Sequence, residues 1–274
     1  MSLATFTAAQ LLRMLPRVRI SHAVGRLCEQ ELPPTVSRAI ARAYARAYGV
    51  DMQEAAAGEA PYPSFDAFFT RPLRAGARLV DDDAVVSPAD GSLEASGPVD
   101  SGGRIFVKGR PYDVGELVGD AREAARYSGG AFAVVYLSPR DYHRVHSPVA
   151  GRLTRVRGIP GDLFPVNSVG ERHVPRLFVR NNRVAIVIDA PGMGRVVVVM
   201  VGAVIVGRVS VGVIDAPAVP PGDHAIEPPH DVQRGDEIGV FHLGSTAVIL
   251  LEPGTTISRG VGPIRYGESL VKAS

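Results

Sequence analysis

The stretch Val196-Val197-Val198-Val199-Met200-Val201-Gly202-Ala203-Val204-Ile205-Val206 is the longest apolar run in the chain, and its reading decides the fold. It falls well short of the roughly 18–20 apolar residues that cross a bilayer as a helix. Most of its side chains branch at Cβ, which restricts them in a helix and suits a pleated strand, and Gly202 interrupts it. The run therefore reads as a buried strand. Outward from it, shorter apolar runs recur between turns at 103–107, 131–137, 183–188, 209–214, 238–241 and 246–251. With 30 Gly, 22 Pro and no Trp, this rhythm predicts an α+β fold that is predominantly β. Its body, residues 61–274, is expected to be a sandwich or barrel-like set of strands, with one helix at about Val114 to Tyr127.

The first 60 residues have a different texture. Phe6, Leu11, Leu12, Leu15, Ile20, Val24 and Leu27 alternate with Arg13, Arg17, Arg19 and Arg26, and Pro16 breaks any helix there. A second helical stretch, about Thr35 to Tyr48, carries Arg38, Arg42 and Arg46 at a spacing of four beside Ile40, Tyr44 and Tyr48. Two readings stand side by side: amphipathic helices lying on an anionic membrane surface, or the same helices packed on the protein's own core. Residues 55–63 read as a linker into the β-rich body.

The formal net charge is only +2, so the general attraction to nucleic acid used by strongly basic proteins is missing. Residues 1–50 hold seven Arg against Glu29 and Glu31, a local balance of +5, which leaves the rest of the chain at −3. A lone cysteine, Cys28, excludes an internal disulfide and a cysteine-based zinc site. The N-terminus lacks the continuous apolar core and small-residue cleavage site of a signal peptide, so the protein is expected to stay on the cytoplasmic side.

Three segments join turn residues to reactive side chains: Ser87-Pro88-Ala89-Asp90-Gly91, Asp141-Tyr142-His143-Arg144-Val145-His146-Ser147-Pro148, and His242-Leu243-Gly244-Ser245-Thr246. An imidazole that accepts a serine proton, itself oriented by a carboxylate, is the usual way to activate a hydroxyl. Each segment also has a plain reading, since Asp-Gly and Gly-Ser are common in turns. His143 and His146 could share a metal only on one helical face, which Pro139 and Pro148 oppose. In an extended strand the two rings face opposite sides and do different jobs. No third ligand suggests itself, and no metal is expected.

Taken together, the three segments resemble the phosphatidylserine decarboxylase family. Phe68-Phe69-Thr70-Arg71-Pro72-Leu73, Pro160-Gly161-Asp162-Leu163-Phe164-Pro165-Val166-Asn167, and Val201-Gly202-Ala203 with Val206-Gly207 agree with it, in the family's order, across residues 64–252. The first 60 residues match only in character.

The resemblance implies a self-processing enzyme. Ser245 would attack the Gly244 carbonyl, the chain would divide into residues 1–244 and 245–274, and Ser245 would become a covalent pyruvoyl cofactor. Asp90 and His146 would complete the charge relay with Ser245, His146 as base and Asp90 as its orienter. His143 would return a proton during decarboxylation or contact the lipid headgroup. The pyruvoyl group would form a Schiff base with phosphatidylserine in the membrane and release carbon dioxide and phosphatidylethanolamine. The resemblance also implies a heterodimer of the two fragments, a dimer of such pairs, and a peripheral enzyme on the cytoplasmic side of the cell membrane, held there by its N-terminal region.

A conventional serine hydrolase would show a Gly-x-Ser-x-Gly elbow, which Gly244-Ser245-Thr246 lacks. A lipid-binding module with Asp90, His146 and Ser245 as turn residues is the non-enzymatic alternative, and self-cleavage would exclude it.

Overall fold

The computed structural model describes residues 17–58, 60–166, 173–204, 208–243 and 246–271. The described residues open with helix α1 (Arg17–Glu29). Helix α2 (Pro34–Tyr48) opens with proline in its first turn, where a missing N–H costs nothing, and closes on Gly49 in the left-handed conformation. Its buried residues are small: Ser37, Ala41 and Ala45. They let α2 settle against Tyr62 and Phe68 in a satellite core. A short helix, α3 (Phe65–Phe69), follows, capped by the Ser64 side chain.

Among the described residues the body is built on an eight-stranded antiparallel sheet in the order β10-β6-β7-β8-β12-β4-β1-β13. The strands are β1 (Gly91–Pro98), β4 (Ala131–Tyr136), β6 (Gly151–Ile159), β7 (Arg183–Ala190), β8 (Gly194–Val201), β10 (Gly222–Val232), β12 (Thr246–Leu251) and β13 (Gly262–Ile264). Both ends stay open, so the sheet does not close into a barrel. A three-stranded sheet, β5 (Arg144–His146), β11 (Glu237–His242) and β9 (Arg208–Ser210), accompanies it. It lies against β8, where a Cβ on Gly239 would stand 2.7 Å from the Met200 sulfur. A hairpin of β2 (Arg104–Val107) and β3 (Arg110–Asp113) completes the strands.

The decisive apolar run forms β8 as far as Val201, and its end at 205–206 lies outside the described residues. Strands β8 and β12 sit mid-sheet and are covered on both faces, which explains their unbroken apolar sequence. The helix expected over 114–127 is broken into α4 (Val114–Val118), α5 (Ala121–Ala124) and a 3-10 turn. Gly119, left-handed at φ 73°, ends α4, and Asp120 caps the start of α5. The run 209–214 is strand only to Ser210. Strand β10 was not legible: its polar sequence with Pro228 and Pro229 is tolerated because it is an edge strand, paired on one side to β6.

Candidate active site

The ladder register brings the three chemistry-bearing segments to one end of the large sheet. Ser92, two residues after Asp90, pairs with Tyr136, and Tyr136 pairs with Thr246, which in turn pairs with Val201. Asp90 therefore precedes the start of β1 at the end where β12 begins. Gly91 permits the turn there, since a Cβ would fall 2.1 Å from the Tyr136 carbonyl oxygen. The His146 N–H donates to Pro88 O at 2.7 Å, and the Phe241 N–H to His143 O at 2.9 Å. The second segment is thus tied to both others. Gly244 and Ser245 themselves lie outside the described residues. They are bracketed by Leu243, a non-glycine residue held at φ 79°, and by Thr246.

Asp90 is buried, and Arg78 grips it from one side: Nε lies 3.2 and 3.1 Å from the two carboxylate oxygens and Nη2 2.5 Å from Oδ2. The same guanidinium reaches Glu54 at 2.9 and 2.7 Å. That hydrogen bonding holds the Glu54 carboxyl below its ordinary range. The Tyr266 backbone N–H donates to Asp90 Oδ1 at 2.9 Å.

His146 is buried and held by other groups. Its Nδ1 is 2.7 Å from Gly235 O, and its Nε2 is 3.1 Å from the Tyr142 hydroxyl. A carbonyl only accepts, so Nδ1 carries the proton and the neutral ring presents a bare Nε2 to Tyr142. Burial lowers the His146 pKa, partly opposed by the Gly235 hydrogen bond. Asp90, expected as the orienter of His146, takes its described hydrogen bonds from Arg78 and Tyr266, the His146 ring meets Gly235 and Tyr142, and the Asp90 charge acts on His146 across space. The two are joined through Tyr266, whose ring stacks on His146.

His143 faces the other way, as strand alternation predicts. It is fully buried, packs on Phe69 with ring centroids 4.1 Å apart, and places Nδ1 2.8 Å from Asp141 O. By the same reasoning its Nε2 is bare, and it has no hydrogen-bond partner among the described residues. Burial, reinforced by the Arg71 charge and opposed by the Asp141 hydrogen bond, drives its pKa down to about 3. The imidazole is neutral at any ordinary pH.

Sequence reasoning missed four contributors. Arg78, Glu54 and Tyr266 carried no local signal, because each meets the site through a long-range contact. His242 lay within a quoted segment without a role. Its Nδ1 is 2.9 Å from both Asp66 oxygens, its Nε2 3.0 Å from Ser210 Oγ, and Arg208 joins Asp66 to Glu29 of α1. The end of β11, two residues before Gly244, is thereby clamped to α1 and α3.

Comparison with known proteins finds close similarity along most of the chain. A family model described as phosphatidylserine decarboxylase matches residues 65–272. A protein of Anaeromyxobacter sp. (strain K) named phosphatidylserine decarboxylase proenzyme is 41% identical over 272 residues, 94% of this chain and 95% of that protein. Proteins of the same name from Acinetobacter baylyi and Bordetella avium are each 42% identical, over 87% and 97% of this chain and 84% and 93% of their own lengths.

Proposed function

The chain belongs to the phosphatidylserine decarboxylase family, and from that membership we propose that it cuts its own Gly244–Ser245 bond, converts Ser245 into an N-terminal pyruvoyl group, and decarboxylates phosphatidylserine at the membrane surface. The observation that carries the proposal is the convergence of Asp90, His143 and His146 on the sheet end where the chain passes from β11 to β12.

In self-cleavage, Ser245 Oγ adds to the Gly244 carbonyl carbon while its proton passes to an imidazole Nε2. Collapse breaks the carbon–nitrogen bond, and the departing nitrogen takes that proton, leaving an ester. Loss of the Ser245 Cα proton then expels the Gly244 carboxylate, and water hydrolyses the resulting enamine, through its imine tautomer, to the ketone and ammonia. His146 is in the tautomer this step needs, provided the Tyr142 hydroxyl swings off Nε2. The Asp90 charge, held in place by Arg78, favours the imidazolium that forms.

A second reading has its own support: His143 Nε2 is already bare, and His143 pairs nearer the end of β11 than His146 does. Replacing each histidine in turn with Asn and following cleavage by intact mass separates the two.

The pyruvoyl ketone supplies an electron sink for the pair left behind by departing carbon dioxide. The dry, bare Nε2 of His143 fits such a group, since the neutral ring can take up a proton during the reaction and return it to carbon without admitting water. After cleavage, residues 245–274 keep β12 between β4 and β8 in mid-sheet, and β13 against β1, so the two fragments remain one heterodimer. A dimer of such pairs, with residues 1–60 as the membrane-association region, 61–274 as the catalytic body and the cytoplasmic face of the cell membrane as its location, completes the proposal.

The test is the intact mass of every polypeptide in the purified protein, beside a Ser245→Ala control. Fragments 1–244 and 245–274, the latter blocked as pyruvoyl, are expected from the wild type only. A single uncut chain in both samples, folded and with membrane present, refutes the mechanism.

A further inference from the structure

Three buried arginines are satisfied by very different means. Arg78 has two carboxylates. Arg183 has five backbone carbonyls, from Val179, Asn181, Glu116, Leu117 and Phe178, at 2.5, 2.6, 3.0, 3.1 and 3.4 Å. Arg71 has neither. It is 3% exposed, its best contacts are long ones to Phe68 O at 3.5 Å and Arg140 O at 3.4 Å, and its Nε has no partner among the described residues. A buried guanidinium with so little compensation bears a large desolvation cost, and burial lowers its pKa accordingly.

Arg71 also lines a cleft of about 370 Å3, with Asp90, Tyr142, Arg140 and Arg265 around it. Five acids line that cleft and each has a partner: Asp90 and Glu54 pair with Arg78, Glu268 with Arg259, Asp141 accepts from Ser138 and lies near Arg140, and Asp51 accepts from the Gln53 N–H. What Arg71 lacks is an anion, and the cleft is large enough to admit one on a small ligand. The geometry points to a binding site for a tetrahedral phosphate oxyanion at Arg71, filled by the phosphodiester of the lipid headgroup.

This assignment rests on the function proposed above. A phosphatidylserine headgroup carries two anions, and only one can be the right partner. Pairing the carboxylate with a buried cation would stabilise the charge that decarboxylation must disperse, and so would slow the reaction. The phosphodiester keeps its charge throughout, and gripping it orients the headgroup without opposing the chemistry. Arg71 is a binding residue, placed one residue beyond the Phe69–Thr70 segment that packs on His143.

The test uses the full-length protein, Arg71→Met and Arg71→Lys, with circular dichroism to establish that each folds. Inorganic phosphate is expected to raise the melting temperature of the wild type, to leave Arg71→Met unmoved, and to give Arg71→Lys an intermediate shift. With a dispersed short-chain phosphatidylserine, Arg71→Met is expected to raise KM at least about ten-fold, more than it lowers kcat, and inorganic phosphate is expected to compete with substrate in the wild type only. Equal phosphate shifts in wild type and Arg71→Met, or an unchanged KM, overturn the site. A phosphate shift that depends on Arg71 without competition against the lipid overturns the headgroup assignment and leaves a free-phosphate site. A chain that neither cuts itself nor decarboxylates sinks the proposed function, while the melting experiment still reads Arg71.

Discussion

The Tyr266 ring lies flat on the His146 imidazole, with centroids 3.8 Å apart and planes 4° apart, while the backbone N–H of the same tyrosine donates to Asp90. One residue from the C-terminal segment thus joins the imidazole to the carboxylate that local sequence would have paired directly. Such a stack contributes about 0.5–1.5 kcal/mol beyond the area it buries. Tyr266→Ala is expected to slow self-cleavage by up to about ten-fold. Tyr266→Phe keeps the ring and should process at the wild-type rate. Time courses of precursor loss on gels check both, and equal rates in all three proteins would leave the stack without a role.

Arg78 holds two acids in a site where its own side chain is 5% exposed and Asp90 is 9% exposed. Among the described residues, removing it leaves Asp90 with the Tyr266 N–H alone and Glu54 with Arg265 at 3.4 Å. Arg78→Ala is expected to cost about 3–5 kcal/mol in unfolding free energy, as the loss of one partner from a buried pair does. Arg78→Lys should recover only part, because an ammonium cannot reproduce the forked contact to Asp90 and Glu54 together. Urea denaturation of the Ser245→Ala precursor measures both without interference from cleavage. A loss under about 1 kcal/mol for Arg78→Ala would show that water reaches the two acids freely.

How much of this was legible depended on burial. Strands β8 and β12 announced themselves because both faces are covered, so Val196 to Val201 and Thr246 to Leu251 read as unbroken apolar runs. Strands β6 and β10 did not, because Arg152, Arg155 and Arg157 punctuate one and the other lies exposed at the sheet edge. Asp90, His143 and His146 were legible as reactive residues in turns. Their partners were not, since Arg78, Gly235 and Tyr266 meet them through tertiary contacts that no spacing encodes. The broken helix at Gly119 was missed for a local reason, a left-handed glycine followed at once by the Asp120 cap.

Both site histidines are buried as neutral rings, with His143 near pKa 3 and His146 below its ordinary value. The unfolded chain binds protons at both once the pH falls through about 6.5, whereas the folded chain keeps His143 neutral and protonates His146 less readily. Their contribution to stability is therefore complete above that pH and is lost as the pH falls, at roughly 1 kcal/mol per pH unit for His143 and in the same direction for His146. The urea midpoint of the Ser245→Ala precursor is expected to drop between about pH 7 and about pH 5, and His143→Gln should flatten the drop. An identical slope in the variant would mean that His143 gains its proton in the folded state.

The N-terminal helices pose a choice between packing on the protein and lying on a membrane, and their two faces divide the answer. Ser37, Ala41 and Ala45 turn inward, whereas Leu27 is 64% exposed, Tyr48 50%, Val36 43% and Ile40 39%. Arg19, Arg26, Arg38 and Arg46 are exposed too. No helix among the described residues is long and apolar enough to span a bilayer. Apolar side chains beside arginines fit the boundary between headgroups and acyl chains, where each arginine contributes about 1 kcal/mol on an anionic surface. Leu27→Asp with Ile40→Asp is expected to weaken binding to phosphatidylserine-containing vesicles at least about ten-fold, since it removes two apolar contacts and adds two repelled charges. Self-cleavage of the double variant serves as the fold control, because neither residue touches the site. Vesicle sedimentation reads the outcome, and undiminished binding by a variant that still cuts itself would move the membrane contact away from α1 and α2.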